Sequence, residues 1–299
     1  MKVLICDATA QDALDTIAEA GIEVVDRPDI TPEELMEVAA EYDAFVVRSR
    51  TKVREALIDA ATNLKAIVRG GVGLDNIDVE YARSKGIQVL NTPTASTNAV
   101  AELTIGYIFS LARNIPQMTA SMKAGEWAKK SFKGSEVGGK TLGLVGAGRI
   151  AQATGRRAKA LGMTVVAYDP YVETADGIEM MSLEDVLSQA DYLSLHVPHT
   201  DETHNIIGAK EIANAKDGVA IINCGRGGTL DEDALYAALE SGKVSGAALD
   251  VYAEEPSKGH KLYTLPQVIG SPHVGAGTSE ASARVGAEVA QNVIGALKG

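Results

Sequence analysis

Three loops of this chain carry polar side chains that together could bind a carboxylate and move a proton. Arg226 lies in the glycine-rich run 223–228, Glu255 precedes a proline, and His273 follows one. A planar guanidinium in a glycine-rich loop suits a carboxylate ligand. Imidazole is the side chain that titrates nearest neutral pH, and a carboxylate at one ring nitrogen fixes its tautomer. The set therefore predicts an acid–base pair beside a carboxylate clamp.

Each of these residues also has a simpler interpretation. A single loop histidine is commonly a hydrogen-bonded structural residue, and a glutamate before a proline fits a solvated turn. Arg226 is harder to explain structurally because a half-buried guanidinium needs an anion. The combination favours the chemistry that hydride transfer between a nicotinamide and a 2-keto acid requires. We predict no metal site, because no metal-ligand spacing is found among the other histidines, His196, His199, His204 and His260.

The element that must position a nicotinamide cofactor is a strand, turn and helix around residue 146. The spacing predicts a strand at 141–145, a tight turn at Gly146, close approach of a pyrophosphate at Gly148 and a small residue, Ala151, where helix and strand pack. Asp169 ends the next predicted strand, about 20 residues after the glycine turn, where a dinucleotide fold places the carboxylate that binds ribose hydroxyls. The alternative interpretation of this segment is an ordinary turn between a strand and a helix, with no bound dinucleotide.

Strands and helices alternate along the whole chain, which predicts α/β architecture with parallel sheets covered on both faces. In the N-terminal part the pattern predicts strands at 3–6, 22–25, 44–47, 66–68 and 87–90. In the dinucleotide-binding part it predicts six strands, at 141–145, 164–168, 191–197, 219–223, 247–251 and 268–269. Helices are predicted at 10–20, from 31, and at 53–61, 78–85, 99–113, 116–126 and 278–297.

The composition restricts the classes of partner. The 299 residues suffice for about two domains, and 45% hydrophobic content is that of a globular protein. The net charge of −12 argues against nucleic acid or an anionic membrane as a partner, but a small anionic substrate needs only a few local cations. Two cysteines, Cys6 in the predicted first strand and Cys224, form no disulfide framework. With an opening apolar run too short for a signal peptide, we expect a cytoplasmic protein.

Several motifs resemble the D-2-hydroxyacid dehydrogenases. They are Val-Val-Arg-Ser at 46–49, Asn-Thr-Pro at 91–93, the run at 223–228 and Ser-Pro-His at 271–273. Leu-Ala-Arg-Asn-Ile-Pro-Gln at 111–117 is similar to the phosphoglycerate dehydrogenase branch of that family. The resemblance implies two Rossmann/flavodoxin-like parallel-sheet domains, with a dinucleotide-binding domain (94–275) inserted into a substrate domain (1–93 and 276–299).

The resemblance also implies roles for individual residues. Arg226 would hold the substrate carboxylate, His273 would exchange the proton, and Glu255 would keep the imidazole charged. Arg48 and Arg69 would lie near a substrate phosphate, and the backbone of Gly70, Gly71 and Val72 would meet the carboxylate. The residues expected to bind the cofactor are Thr97, Gly146, Gly148, Arg149, Ile150, Asp169, His196, Pro198, Thr203, Asn223, Cys224, Gly225, Asp250, Gly275 and Ala276.

The function that the resemblance implies is NAD-dependent oxidation of 3-phospho-D-glycerate to 3-phosphohydroxypyruvate. NAD is favoured over NADP because Asp169 would repel a 2′-phosphate and no arginine follows it. The alternatives are a glyoxylate or hydroxypyruvate reductase and, in another class, an NAD-sensing binding protein of corepressor type. The resemblance implies a homodimer, or a dimer of dimers, through the nucleotide domain around 99–126.

Two positions depart from the pattern of the family. Ala151 replaces the usual third glycine, and Ser96 stands where relatives often carry asparagine. Longer relatives continue into regulatory domains, whereas this chain stops at Gly299, so we expect no serine feedback through such a domain.

Overall fold

The computed structural model describes residues 1–299 as two compact α/β units. Unit one comprises Met1–Ser96 and Ala276–Gly299, and unit two comprises Thr97–Gly275. The sequence-based boundary falls between residues 93 and 94. The three residues 94–96 therefore lie with unit one and not with the dinucleotide-binding segment.

The secondary structure follows the predicted alternation. The strands are β1 (Lys2–Ile5), β2 (Glu23–Asp26), β3 (Ala44–Val47), β4 (Ala66–Arg69), β5 (Gln88–Asn91), β6 (Thr141–Val145), β7 (Thr164–Tyr168), β8 (Glu179–Met180), β9 (Tyr192–Leu195), β10 (Val219–Asn223), β11 (Val244–Leu249) and β12 (Val268–Gly270). The α-helices are α1 (Gln11–Glu19), α2 (Pro32–Val38), α3 (Glu55–Ala60), α4 (Val79–Ser84), α5 (Thr97–Arg113), α6 (Ile115–Lys123), α7 (Arg149–Ala160), α8 (Leu183–Gln189), α9 (Ala209–Asn214), α10 (Glu232–Ser241) and α11 (Ser279–Lys298). Short 3-10 helices cover Ala39–Glu41 and Lys261–Thr264.

Unit one is built on a five-stranded parallel sheet with the order β2-β1-β3-β4-β5. Every residue of β3 and β4 is buried, as expected for central parallel strands covered on both faces. Alternate side chains enter two cores: Leu4 and Phe45 belong to one, and Val3 and Val46 belong to the other. Helices α1 and α11 complete the second core, so the C-terminal helix is part of the N-terminal unit.

Unit two is built on a seven-stranded parallel sheet with the order β12-β11-β10-β9-β6-β7-β8. Six of these strands are predicted from the sequence, whereas the two-residue strand β8 is too short to show a hydrophobic period. Strand β6 pairs with β7 on one side and with β9 on the other, so the strand order reverses beside it. Open α/β sheets bind ligands beyond the carboxyl ends of the strands at such a point.

Several predicted boundaries are wrong by one to three residues, for physical reasons. The strand predicted at 191–197 ends at Leu195, because its neighbour β6 ends at the paired Val145 and turns away at Gly146. Cys6 is buried but lies just after β1. Helix α6 ends at Lys123 and not at residue 126, ahead of the left-handed Gly125. None of the helices is both long and apolar enough to cross a membrane.

Candidate active site

The three predicted chemical loops follow neighbouring strands of unit two. Strands β10, β11 and β12 lie side by side, and Asn223 pairs in register with Leu249, which pairs with Gly270. The carboxyl ends of the three strands are therefore level with one another. The loops that carry Arg226, Glu255 and His273 leave the sheet from the same edge, although 47 residues separate the first from the last.

His273 and Glu255 are in direct contact. Nδ1 of His273 lies 2.7 Å from Oε2 of Glu255, and each side chain keeps about a third of its surface exposed (37% and 36%). The other carboxylate oxygen of Glu255 accepts a hydrogen bond from the backbone N–H of Tyr252 at 3.1 Å, which orients the carboxyl group. Because Nδ1 is engaged by the carboxylate, Nε2 is the nitrogen available to a second partner.

The loop that carries Arg226 is shaped by the buried side chain of Asn223. Its amide donates to the carbonyl oxygen of Arg226 at 2.9 Å, and its own oxygen accepts from the N–H of Gly225 at 3.0 Å. Arg226 is half-buried, and its Nη1 donates to the carbonyl of Gly225 at 2.8 Å. A Cβ atom on Gly227 would lie 1.7 Å from the carbonyl oxygen of Tyr252. The arginine loop therefore packs directly against the loop that carries the glutamate.

The buried carboxylate of Asp250 fixes the loop that carries His273. Asp250 is 1% exposed and accepts hydrogen bonds from the N–H groups of Val274 at 2.8 Å and Gly275 at 2.7 Å and from the hydroxyl of Ser271. The sequence predicts Asp250 and Gly275 as cofactor-binding residues. In the structure the N–H group of Gly275 donates to the Asp250 carboxylate, so Asp250 helps to fix the shape of the turn that carries His273.

The glycine turn after β6 has the geometry expected for phosphate binding. Gly146 has φ +99°, and a Cβ there would lie 2.8 Å from the carbonyl oxygen of His196. Nothing lies within 4 Å of a Cβ position on Gly148, which precedes the twelve-residue helix α7 without a side-chain cap. The N–H groups at the start of α7, including those of Arg149 and Ile150, therefore open toward space where an anion could lie.

Asp169, the carboxylate predicted to bind ribose hydroxyls, also holds this turn. Its Oδ2 accepts from the N–H of Ala147 at 2.8 Å, and its Oδ1 accepts from the N–H groups of Tyr171 and Val172 at 2.9 and 3.1 Å. An ionised carboxylate has about four acceptor positions, so it can still receive a ribose hydroxyl.

Two buried polar atoms near the predicted cofactor residues have no partner within the protein. They are Oγ1 of Thr97 and Nδ1 of His196. Buried polar atoms are normally satisfied, so these two fit a site completed by a polar ligand such as a dinucleotide. Thr203 differs, because its hydroxyl already donates to the carbonyl of Pro198 at 2.6 Å and accepts from the N–H of Thr200. Cys224 is buried, which raises the pKa of its thiol to about 12.

In unit one the predicted substrate residues surround a second glycine turn, after β4. The guanidinium of Arg69 lies against Gly71, where an added Cβ would be 1.9 Å from Nη1. Cγ of Arg48 is 3.4 Å from a Cβ position on Gly70. The N–H groups of Gly70 and Gly71 donate to the carbonyls of Val47 and Arg69, at 2.8 and 3.0 Å. Both arginines thus flank the turn, and the roles of Gly70, Gly71 and Val72 toward a carboxylate stay a prediction.

The sequence analysis missed Asp7, which organises this part of unit one. Asp7 is 4% exposed and accepts from the backbone N–H of Arg48 at 2.5 Å and from the hydroxyl of Thr51 at 2.9 Å. It also pairs with Nε of Arg50 at 2.9 Å. The available signal was an aspartate that follows a run of buried apolar residues, as Asp250 does in unit two.

A comparison with known protein families identifies the family of this chain. The family profile described as D-isomer specific 2-hydroxyacid dehydrogenase, NAD binding domain, matches residues 105–275. The chain belongs to this family. Residues 105–275 form its NAD-binding domain, and this stretch contains Arg226, Glu255 and His273.

Individual relatives of the chain are named for different activities. The chain is 49% identical over 304 residues to a D-3-phosphoglycerate dehydrogenase of Methanocaldococcus jannaschii, covering all of this chain and 58% of that relative. It is 49% identical over 265 residues to a hydroxypyruvate reductase of Thermotoga maritima, covering 87% of each. The crystal structure of a glyoxylate reductase from Paecilomyes thermophila is 33% identical with a TM-score of 0.92, covering 100% of this chain and 95% of that one.

The imidazole of His196 provides a prediction for stability. Burial lowers its pKa from 6.5 to about 4, and Nε2 lies 2.9 Å from the hydroxyl of Ser194. Between pH 6.5 and 4 the unfolded chain binds a proton at this imidazole that the folded protein does not, so the free energy of unfolding falls as the pH falls through this window. His196→Gln is expected to lose less stability than the wild type between pH 7 and pH 5, measured by urea unfolding.

The exposed His204 supplies the matched control for this experiment. His204→Gln is expected to keep the wild-type difference in unfolding free energy between the two pH values. Equal acid sensitivity of the wild type and His196→Gln would show that the buried imidazole makes no contribution.

Proposed function

We propose that this protein is an NAD-dependent D-2-hydroxyacid dehydrogenase that oxidises 3-phospho-D-glycerate to 3-phosphohydroxypyruvate. The observation that carries the proposal is the contact of 2.7 Å between His273 Nδ1 and Glu255 Oε2, made at the sheet edge that also carries Arg226. An imidazole backed by a carboxylate is a general acid–base catalyst whose second nitrogen is free to exchange a proton.

The three residues divide the work of the oxidation. The guanidinium of Arg226 binds the substrate carboxylate in a bidentate manner and holds C2 in place. Nε2 of His273 accepts the proton of the C2 hydroxyl as the C=O bond forms, and Glu255 stabilises the imidazolium that results. Bound NAD⁺ would supply the hydride acceptor for C2, so that the two electrons of the C2–H bond leave with the hydride while the hydroxyl proton stays with His273.

The preference for NAD over NADP is supported by Asp169. Its carboxylate is held at the end of β7 by three backbone N–H groups, those of Ala147, Tyr171 and Val172. A fixed negative charge at this place accepts ribose hydroxyls and repels a 2′-phosphate. The two residues that follow, Pro170 and Tyr171, offer no positive charge to compensate.

A phosphorylated substrate is supported by the contrast between two neighbouring arginines. Arg50 is committed to the fold, because it pairs with Asp7 and donates to the carbonyl oxygens of Cys6, Pro28 and Ile30. The side chain of Arg48, two residues earlier, makes no hydrogen bond or ion pair within the chain and is half-buried beside Gly70. A half-buried guanidinium of this kind favours an anionic ligand, and a phosphate fits its fork geometry.

The second candidate is reduction of unphosphorylated hydroxypyruvate. It is favoured by the 49% identity to a hydroxypyruvate reductase that the chain matches over 87% of both lengths. Both candidates use the same histidine, glutamate and arginine, so they differ only in whether a phosphate is recognised.

Arg48→Ala distinguishes the two candidates. We expect KM for 3-phospho-D-glycerate to rise by about 10- to 100-fold, because a hydrogen bond to a charged group is worth about 1.5–3 kcal/mol. The kcat/KM for unphosphorylated D-glycerate is expected to change by less than about twofold. The measurement is the initial rate of NADH or NADPH formation with each substrate and each cofactor.

Arg83→Ala is the matched control, because Arg83 is an exposed arginine of unit one that pairs only with Glu80 three residues earlier. Arg83→Ala is expected to leave KM and kcat/KM unchanged for both substrates. If Arg48→Ala lowered kcat/KM equally for the two substrates, phosphate recognition by Arg48 would be excluded and the reductase candidate preferred.

We also propose that the protein forms a homodimer, or a dimer of dimers, through the region around α5 and α6. Large apolar side chains are exposed on and after α6, with Ile115, Met122 and Trp127 exposed by 42%, 57% and 80%. No side chain of α6 is fully buried within the chain, although the helix is rich in apolar residues. A second copy of the chain covering this surface would remove these side chains from water.

Met122→Glu is expected to weaken this association, because a carboxylate would be buried without a partner in the dimer. Sedimentation velocity should show a dimer or tetramer for the wild type and monomers for the variant. Leu161→Glu, at a 37% exposed leucine after α7, is the control and should leave the mass unchanged. If the wild type sedimented as a monomer, the proposed dimer would be excluded.

A further inference from the structure

The catalytic turn of unit two is held in an unfavourable backbone conformation. His273 has φ +53°, in the left-handed region that residues with a Cβ rarely adopt. Such a conformation persists only where the surroundings over-determine it. The position of the imidazole therefore depends on the bonds that fix residues 271–275.

Those bonds converge on Asp250 and Ser271. The Asp250 carboxylate accepts from the N–H groups of Val274 and Gly275 and from the Ser271 hydroxyl. The N–H of Ser271 donates to the carbonyl of Leu249 at 3.0 Å. The Ser271 carbonyl accepts from the Tyr252 hydroxyl at 2.8 Å.

The hydroxyl of Ser271 has one more neighbour, Tyr107. Oη of Tyr107 lies 2.5 Å from Oγ of Ser271 and reaches it from helix α5, 164 positions earlier in the chain. Tyr107 is 8% exposed, and burial raises the pKa of its phenol, so the hydroxyl keeps its proton. No role was predicted for Tyr107 or for Ser271 from the sequence.

The direction of this hydrogen-bond chain follows from the number of protons available. An ionised carboxylate only accepts, so the single proton of Ser271 is used toward Asp250. Tyr107 must then be the donor to Ser271. The chain therefore runs from Tyr107 to Ser271 to Asp250, and without the Ser271 hydroxyl Tyr107 keeps only the more distant carbonyl of Leu249, at 3.4 Å, as an acceptor.

We propose that Tyr107 and Ser271 are positioning residues for His273, which they orient by fixing the Asp250 carboxylate that carries the turn. This inference rests on the proposed function, in which His273 exchanges the proton of the 2-hydroxyl. Neither residue touches the substrate. Their loss lets the turn relax away from the left-handed conformation and moves Nε2 from the place where it meets the hydroxyl, which slows the proton transfer and leaves substrate binding by Arg226 intact.

The test is a double-mutant cycle on kcat with Tyr107→Phe, Ser271→Ala and the double variant. We expect kcat to fall about threefold for Tyr107→Phe and about tenfold for Ser271→Ala, with KM for the acid and for NAD nearly unchanged. Because Tyr107 acts through Ser271, the double variant should be no slower than Ser271→Ala alone. Ser271→Thr keeps the hydroxyl and should restore most of kcat.

Tyr192→Phe is the matched control, because Tyr192 is another buried tyrosine of unit two and lies at the start of β9, away from the catalytic turn. Its melting temperature should fall about as much as that of Tyr107→Phe, while its kcat stays at the wild-type value. Additive losses in the double variant, or a kcat for Tyr107→Phe equal to that of the control, would overturn the proposal.

A second measurement is independent of turnover. The side-chain nitrogen signals of His273, assigned by their loss in His273→Gln, should be sharp in the wild type and in Tyr192→Phe and should be shifted or broadened in Tyr107→Phe and Ser271→Ala. Unchanged signals in those two variants would overturn the positioning role. A wild type inactive on every 2-hydroxy acid would overturn the proposed function instead, and the spectra would still decide whether Tyr107 and Ser271 orient the imidazole.

Discussion

The contact between Glu255 Oε2 and His273 Nδ1, 2.7 Å long, joins two loops that belong to adjacent parallel strands. It exists because β11 and β12 end level with each other, with Leu249 paired to Gly270. A shift in register would move the two loops apart along the strand direction, and a residue's rise of about 3.3 Å is longer than the contact itself. The buried hydrophobic cores on both faces of the sheet fix that register, so the chemistry of the site depends on the packing of the whole unit.

A second feature recurs in both units: a buried aspartate after a strand holds the loop that follows a neighbouring strand. Asp7 in unit one fixes the loop of Arg48, and Asp250 in unit two fixes the turn of His273. Burying a carboxylate is costly unless it is hydrogen-bonded, and here both carboxylates accept from backbone N–H groups and from a side-chain hydroxyl. The buried aspartate therefore sets the shape of each loop, and the side chains proposed to bind substrate do not have to do so. The guanidinium of Arg48 and Nε2 of His273 are therefore not needed to hold these loops in place.

Much of this could be predicted from the sequence, because its signals are local. The glycine turn at Gly146 and the aspartate at 169 stand at a fixed spacing within a strand–turn–helix–strand pattern, and the loops of Arg226, Glu255 and His273 each follow a buried apolar strand. The parallel topology then brings these strand ends to one edge. The sheets and most helices follow from the same alternation of apolar runs and turns.

The rest depended on contacts that no local pattern encodes. Tyr107 and Ser271 meet across 164 positions, and the close approach of Gly227 to the carbonyl of Tyr252 is visible only once the loops are folded. Asp250 is expected among the cofactor-binding residues from the family resemblance alone, and its hydrogen bonds to the turn of His273 are visible only in the folded structure. Strand β8 has only two residues, too few to show the alternation of apolar and polar residues from which a strand is predicted.

The single-turnover rate of NADH formation from 3-phospho-D-glycerate, compared between the wild type and His273→Gln, tests the central claim most directly. A general acid–base group contributes about 10²- to 10⁴-fold to such a step, so the variant should be slower by that factor while its affinity for NAD is unchanged. A variant whose rate stays within about threefold of the wild type would show that the imidazole beside Glu255 is not the group that carries the proton.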